Sequence, residues 1–147
     1  MPRTIYLSID RAIETYKKTI DISGGGAFGF IADGRERLEG ILEFIKEDQF
    51  YPTMEAKLTH LFFSVCKFHM LQDGNKRMAI VLCAQMLLEN GYLYCAGNFI
   101  REMENISAHV AAGRIDKAML LEIITDFIYG NEDEDLKLRI IDAIQNQ

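Results

Sequence analysis

The chain has 147 residues and a formal net charge of −6 at pH 7. This length suits a single domain whose core needs neither disulfides nor metals to hold it together. No basic stripe of the kind that follows a nucleic-acid backbone is present, so direct binding of nucleic acid is not expected.

Cysteine usage and hydropathy favour a cytoplasmic protein. The three cysteines, Cys66, Cys83 and Cys95, are odd in number and show no C-x-x-C spacing, which is typical of reduced thiols. The longest apolar run, from about Met78 to Leu88, is too short to span a bilayer, and no N-terminal segment resembles a secretion signal. We therefore expect neither secretion nor a membrane partner.

Apolar residues recur at intervals of three and four along almost the whole chain, which predicts an all-α fold. The first helix is expected to start after Ser8 as its N-cap and to run to about Ile20. The stretch 23–31 cannot sustain a helix, because four glycines in seven positions cost too much backbone entropy. Asp33 is then expected to cap a second helix.

The third and fourth helices flank a polar segment. The step 51–53 opens the third helix, which is expected to end near Phe68. The fourth helix, from about Lys76 to Asn90, is apolar nearly all round, so it should lie at the centre of the bundle. Gly91 is its expected left-handed cap.

The C-terminal half is predicted to be helical as well. Short extended structure at 92–95 is expected to separate a fifth helix, near 98–111, from the central one, and a sixth helix is expected near 116–129. The tail begins with acidic residues, interpreted as the N-terminus of a peripheral helix or contact surface. We expect one domain at 1–130, with 131–147 as its helical extension.

Residues 69–77 hold the candidate functional site, with the sequence HMLQDGNKR between two apolar runs. A helix that begins near Gly74 or Asn75 presents unpaired backbone N–H groups and the positive end of its dipole, which attract phosphate. Asn75 can add an amide donor, and Lys76 and Arg77 add positive charge. These four residues are therefore the predicted anion-binding set.

Two further side chains in the segment suit phosphate chemistry. Asp73 immediately precedes the anion-binding set, and a single carboxylate beside substrate phosphates suits Mg²⁺. His69 lies four residues earlier, and histidine is the usual general base for a hydroxyl near neutral pH. His69 is the predicted catalytic residue and Asp73 the predicted metal ligand.

The segment resembles the H-x-F-x-D/E-G-N-G/K-R core of the Fic-domain superfamily. The Lys at the eighth place, Lys76, makes the segment similar to the death-on-curing (Doc) branch of that superfamily. Members of this branch are toxins of bacterial toxin–antitoxin pairs. Leu71 stands where the family usually has Phe and keeps an apolar anchor. The likeness covers about residues 5–130 and continues, in order, through the glycine-rich loop and segments 33–38, 51–53, 90–92 and 113–116.

This resemblance implies a compact Fic/Doc-type helical bundle with a Gly-rich flap, using ATP and Mg²⁺. His69 would be the base, Asp73 the Mg²⁺ ligand, and 74–77 the phosphate-binding set. AMP-transferring relatives have Gly at the place of Lys76 and a second Arg at the place of Ile80. The Lys implies transfer of the γ-phosphate to a Thr or Ser hydroxyl of a target protein, by resemblance a translation elongation factor, under control of an antitoxin protein.

Several alternatives remain open from the sequence. The chain could transfer AMP to a protein hydroxyl, or it could be a catalytically silent module that binds a peptide. The loop Gly24 to Gly29 could be a simple linker, or a flap on which Phe28, Phe30 and Arg35 flank the cleft and dock the backbone of the target.

Overall fold

The computed structural model describes residues 3–24 and 26–145. Within them the chain forms seven α-helices and no strand, which confirms the predicted all-α class. Gly25 of the glycine-rich loop, and residues 1, 2, 146 and 147 of the predicted domain ranges, lie outside the described residues. The helices are α1 (Ile9–Ser23), α2 (Gly34–Phe44), α3 (Met54–Lys67), α4 (Asn75–Glu89), α5 (Leu93–Ala111), α6 (Lys117–Tyr129) and α7 (Glu134–Gln145).

Side-chain caps set the starts of α1, α3 and α6. Ser8, Thr53 and Asp116 each accept a hydrogen bond from the backbone N–H three residues on, at 3.2, 3.2 and 2.8 Å, as N-cap residues do. Asp33 occupies the N-cap position of α2 as predicted, but its carboxylate makes no capping hydrogen bond. Its ψ is 25°, whereas the three capping residues are extended with ψ of 161°, 162° and 175°.

Helix α4 lies at the centre of the bundle, as its apolar sequence predicts. Eight of its fifteen residues are buried, and it packs against α1, α3 and α5. Gly91 follows with a φ of 89°, which is the predicted left-handed conformation. The polar segment that precedes α4 is therefore attached to a helix of which more than half is buried.

The prediction of extended structure at 92–95 is wrong, because α5 already begins at Leu93. The backbone N–H of Ala96 donates to the carbonyl of Tyr92 at 3.1 Å, so the chain turns directly back into a helix. Cys95, Ala96, Phe99 and Met103 are buried at helical spacing. This apolar stripe against α4 outweighs the strand preference of the tyrosines.

The C-terminal helices complete the fold at one side. Helix α6 packs on α3, and α7 packs on α6. Leu136 is the one buried residue of α7 within the described chain, and Arg139 donates to both carboxylate oxygens of Glu122 at 2.9 and 2.7 Å. The acidic run forms the start of α7 as predicted, since the Asp133 carboxylate accepts the Leu136 N–H at 3.1 Å.

The cysteines are structural thiols. Cys66, Cys83 and Cys95 are free and buried. Burial raises the pKa of the Cys66 thiol to about 12 and raises that of Cys83 well above its ordinary value, so neither is a reactive thiolate. Among the described residues no helix is long and apolar enough to cross a bilayer.

Candidate active site

His69 lies on the short loop between α3 and α4 with a strained backbone. Its φ is 46°, a left-handed conformation that costs a residue with a Cβ about 1 kcal/mol or more. Its side chain is exposed. Such strain persists only where the surrounding structure enforces it and is concentrated at functional sites.

Two buried residues hold this loop in place. Met70 is 0% and Leu71 2% exposed, so the loop is anchored although Leu71 replaces the usual Phe. The side chain of Asn75 clasps the backbone of Leu71: its Oδ1 accepts the Leu71 N–H at 3.0 Å and its Nδ2 donates to the Leu71 carbonyl at 2.8 Å. The structure thus gives Asn75 a task in positioning the loop that the sequence did not reveal.

The N-terminus of α4 has no side-chain cap. Gly74 occupies the N-cap position with a φ of 86°, a conformation that glycine adopts without strain. The first backbone N–H groups of the helix have no partner within it, and together they carry the positive end of the dipole. Gly74 thus leaves this end of the helix open to an anion.

Lys76 and Arg77 lie in this first turn, exposed to solvent. In the part of the chain that the structure describes, neither side chain forms an ion pair or a hydrogen bond. Cations at a helix N-terminus are opposed by the dipole, at a cost of a few tenths to about 1 kcal/mol each. The arrangement is therefore unfavourable by itself, and an anion bound there would relieve it.

A cleft of about 730 Å³ adjoins this helix end, a volume typical of small-ligand sites. Its lining includes the predicted anion-binding set, residues 74–77. The other walls are mainly apolar, with two polar side chains on α5; they are formed by Ile80, Val81, Ile100, Glu104, Ser107 and Ala108. A cleft that combines cations with apolar walls suits a nucleotide, which carries charged phosphates and a flat base.

The glycine-rich loop pairs with the loop that carries His69. The N–H of Ile31 donates to the Met70 carbonyl at 3.0 Å, and the N–H of Gln72 donates to the Gly29 carbonyl at 2.8 Å. Phe30 and Leu71 form an isolated antiparallel β-bridge. Residues 26–31, called the flap below, are therefore hydrogen-bonded to the loop that carries His69, and a docking role for them stays a prediction.

Tyr16 of α1 joins the flap to the loop before α4, and no functional role is predicted for it from sequence patterns. Its hydroxyl donates to the Asp73 carbonyl at 2.8 Å, and the carbonyls of Gly29 and Ala27 lie at 3.2 and 3.3 Å. The residue is 2% exposed. A buried tyrosine usually needs a partner for its hydroxyl, which was the available signal, but a sequence does not say which partner.

The predicted docking residues lie on and beside the flap. The Phe28 ring packs on Tyr16 with centroids 4.7 Å apart, and the Phe30 ring lies 5.9 Å from the same ring. Arg35 faces Asp10 and Glu39 at 3.8 Å each. The described lining of the 730 Å³ cleft includes none of these three docking residues.

Asp73 is the one candidate metal ligand of the loop. Its Oδ2 accepts the Ala27 N–H at 2.8 Å, and its side chain is exposed. The described residues contain no group of three or more His, Cys, Asp or Glu arranged to hold a metal. The chemistry of this donor fits Mg²⁺ held by one carboxylate and by substrate phosphates, because Mg²⁺ retains several waters in such sites.

Comparison with known proteins identifies the family of this chain. A family model described as Fic/DOC family matches residues 6–87, more than half of the chain. The chain belongs to the Fic/DOC family. Searches of curated proteins and of solved structures gave no match. Fic/DOC proteins bind nucleotides such as ATP and generally transfer nucleotide or phosphate groups to proteins, and the matched range includes the flap and the whole segment 69–77.

Proposed function

We propose that this Fic/DOC protein is a Doc-type protein kinase that transfers the γ-phosphate of ATP to a Thr or Ser hydroxyl of a target protein. The observation that carries the proposal is the open N-terminus of α4. There Lys76 and Arg77, which form no ion pair among the described residues, follow a left-handed Gly74 and line a nucleotide-sized cleft. The strained, exposed His69 lies on the loop that leads into this helix.

In the proposed reaction, His69 takes the proton of the target hydroxyl. The hydroxyl oxygen forms a bond to the γ-phosphorus, the bond between that phosphorus and the bridging oxygen breaks, and ADP leaves with the electron pair. Backbone N–H groups of 74–77 and the side chains of Lys76 and Arg77 stabilise the charge on the phosphate oxygens. Asp73 would hold Mg²⁺, which supplies further charge neutralisation.

Two residues of the cleft favour phosphate over AMP transfer. By resemblance, Lys76 replaces the small Gly of AMP-transferring relatives, which adds bulk and charge where one phosphate group would lie. Ile80 replaces their second Arg, and here it is 6% exposed and forms part of the apolar wall. The resemblance associates the Lys with a reversed ATP, whose γ-phosphate faces the nucleophile.

Labelled ATP tests the proposal. The chain is incubated with cell lysate, Mg²⁺ and ATP labelled at the γ- or the α-phosphate, and His69→Ala serves as the control. Label from the γ-position alone on a protein band supports kinase activity, and label from the α-position alone shows AMP transfer instead. Absence of both, with no binding of Mg²⁺-ATP by calorimetry, would indicate a catalytically silent module.

The biological setting is proposed from the same resemblance. We propose a cytoplasmic toxin of a toxin–antitoxin pair, with a translation elongation factor as target and an antitoxin protein as its inhibitor. Induced expression of the chain should then arrest growth and lower protein synthesis, while expression of His69→Ala should not. Growth arrest by both chains would contradict a toxic enzymatic activity.

A further inference from the structure

We infer that Tyr16 is a positioning residue, which fixes the flap and Asp73 relative to each other and so holds the candidate metal ligand in place for transfer. The inference deepens the proposed function and rests on it for its kinetic consequences. Tyr16 lies on α1, 57 residues before Asp73, and it is not among the described residues that line the cleft.

The hydroxyl of Tyr16, a residue of α1, contacts two other segments of the chain at one point. It has a single proton, and the shortest contact, 2.8 Å to the Asp73 carbonyl, takes it. The carbonyls of Gly29 and Ala27 lie at 3.2 and 3.3 Å, and the Gly29 N–H donates to the hydroxyl at 3.4 Å. Helix α1, the flap and the loop before α4 are thus joined through one oxygen atom.

Both the backbone and the side chain of Asp73 are hydrogen-bonded in this arrangement. Its backbone carbonyl accepts from Tyr16, and its carboxylate accepts from the Ala27 N–H at 2.8 Å. Ala27 in turn belongs to the flap segment whose carbonyls surround the same hydroxyl. The direction of the carboxylate is therefore coupled to the position of the flap.

The adjoining face of α1 forms a platform for the same two segments. A Cβ built on Gly26 of the flap or on Gly74 of α4 would in each case lie 3.5 Å from Cδ1 of Ile20, and the one on Gly74 would lie 3.9 Å from Cε1 of Tyr16. Apolar packing by Ile20 and by the Tyr16 ring supports both segments. The hydroxyl adds the directional part, which packing alone does not supply.

Removal of the hydroxyl should separate these two contributions. Tyr16→Phe keeps the ring that packs on Phe28 and Phe30, but leaves the Asp73 carbonyl without its donor. Because the backbone N–H groups and cations of the α4 N-terminus are untouched, binding of ATP should change little. Placement of Asp73 and of the flap should suffer, and a misplacement of about 1 Å is worth on the order of a hundredfold in rate.

The test compares Tyr16→Phe with Tyr94→Phe. The control removes a hydroxyl that donates to the Ile128 carbonyl at 3.2 Å, between α5 and α6. Hydrogen exchange followed by mass spectrometry reports on segments 26–31 and 70–73. A backbone N–H of each segment donates to a carbonyl of the other. The same proteins are assayed for kcat and for the KM of ATP in the labelling reaction.

We expect Tyr16→Phe to speed exchange in those two segments by about tenfold or more, while exchange in α4 and α6 stays unchanged. Its kcat should fall by about tenfold or more with the KM of ATP altered by less than about threefold. Tyr94→Phe should change neither quantity. Unchanged exchange in the flap, a uniform rise in exchange across all helices, or a loss expressed only in KM would each overturn the inference.

The exchange measurement keeps this inference separate from the proposed function. If the unaltered chain transfers no label from ATP, the proposed kinase activity fails. Selective loosening of segments 26–31 and 70–73 in Tyr16→Phe would still establish the coupling through its hydroxyl, and its absence would still refute it.

Discussion

The side-chain amide of Asn75 holds the backbone of Leu71 through two hydrogen bonds, at 3.0 Å to its N–H and 2.8 Å to its carbonyl. Leu71 is 2% exposed, so these backbone groups have little access to water. The same asparagine is the first residue of α4. The loop that carries His69 is therefore fastened to the helix end that is proposed to bind phosphate.

Replacement of Asn75 by Ala should loosen this loop. Two buried backbone groups would lose their partners, which should lower the free energy of unfolding by about 1–3 kcal/mol. Urea unfolding followed by circular dichroism measures this loss. Asn105→Ala on the exposed face of α5 is the control and should change stability by less than about 0.5 kcal/mol; equal losses in the two variants would show that the clasp contributes nothing.

Gly34 should tolerate no side chain. A Cβ on Gly34 would lie 2.0 Å from the Met70 carbonyl oxygen, a backbone atom of the same loop. Gly34→Ala should therefore destabilise the fold by about 2 kcal/mol or more, since the loop or α2 must shift. It should also slow group transfer, because the loop carries His69.

Gly40 provides the matched control for that substitution. It lies on α2 as well, and nothing is within 4 Å of the position of its Cβ. Gly40→Ala should stabilise the protein by about 0.5–1 kcal/mol, because alanine favours a helix interior over glycine. If thermal unfolding gave the two variants the same change, the close approach of α2 to the loop would be refuted.

Lys76 should lower the stability of the ligand-free protein and strengthen its binding of anions. Lys76→Glu places a favourable charge at the N-terminus of α4 and should raise the free energy of unfolding by about 0.5–1 kcal/mol. Phosphate or ATP should raise the melting temperature of the unaltered chain. The same ligands should raise the melting temperature of the variant much less. Lys18→Glu makes the same change of charge at an exposed position on α1 and serves as the control. This variant should keep the ligand-induced rise in melting temperature.

His60 should make the protein sensitive to acid. Burial, together with the nearby Lys117, lowers the pKa of His60 from 6.5 to about 4. Lys117 Nζ lies 2.8 Å from its Nδ1 and donates to it. The unfolded chain takes up a proton below pH 6.5 and the folded chain does not, so the free energy of unfolding should fall as the pH drops from 6.5 toward 4.

His60→Phe tests this dependence directly. The new ring can keep the stacking that His60 makes on Tyr51, with centroids 4.7 Å apart, but it cannot be protonated. Melting temperatures at pH 7 and pH 5 should therefore differ less in the variant than in the unaltered chain. An identical difference in both would show that His60 is protonated equally in the folded and unfolded states.

The sequence predicted most of the fold because periodic apolar residues and local caps act over short distances. Ser8 and the central helix α4 follow from such patterns, and both are observed. Segment 92–95 was predicted wrongly, because burial of Cys95 and Ala96 against α4 outweighs local strand preference. That burial depends on the position of a neighbouring helix, which local propensity does not contain.

For the site, the sequence supplied candidate residues but not their connections. His69, Asp73 and 74–77 were chosen by residue type and spacing, and their catalytic and binding roles stay predictions. The clasp of Asn75 on Leu71 and the contact of Tyr16 with Asp73 were not foreseen. Tyr16 and Asp73 are 57 residues apart in sequence, and only the packing of α1 under the flap brings them together.

The most direct test of the account is the rate of γ-phosphate transfer from labelled ATP, measured for the unaltered chain, His69→Ala and His69→Gly. Both variants lack the imidazole and should lose about 10²–10⁴ in kcat. His69→Gly should be the more stable of the two by about 1 kcal/mol, since glycine relieves the strain of the positive φ. Full transfer by a folded His69→Ala, or transfer of the α-label in place of the γ-label by the unaltered chain, would contradict the account.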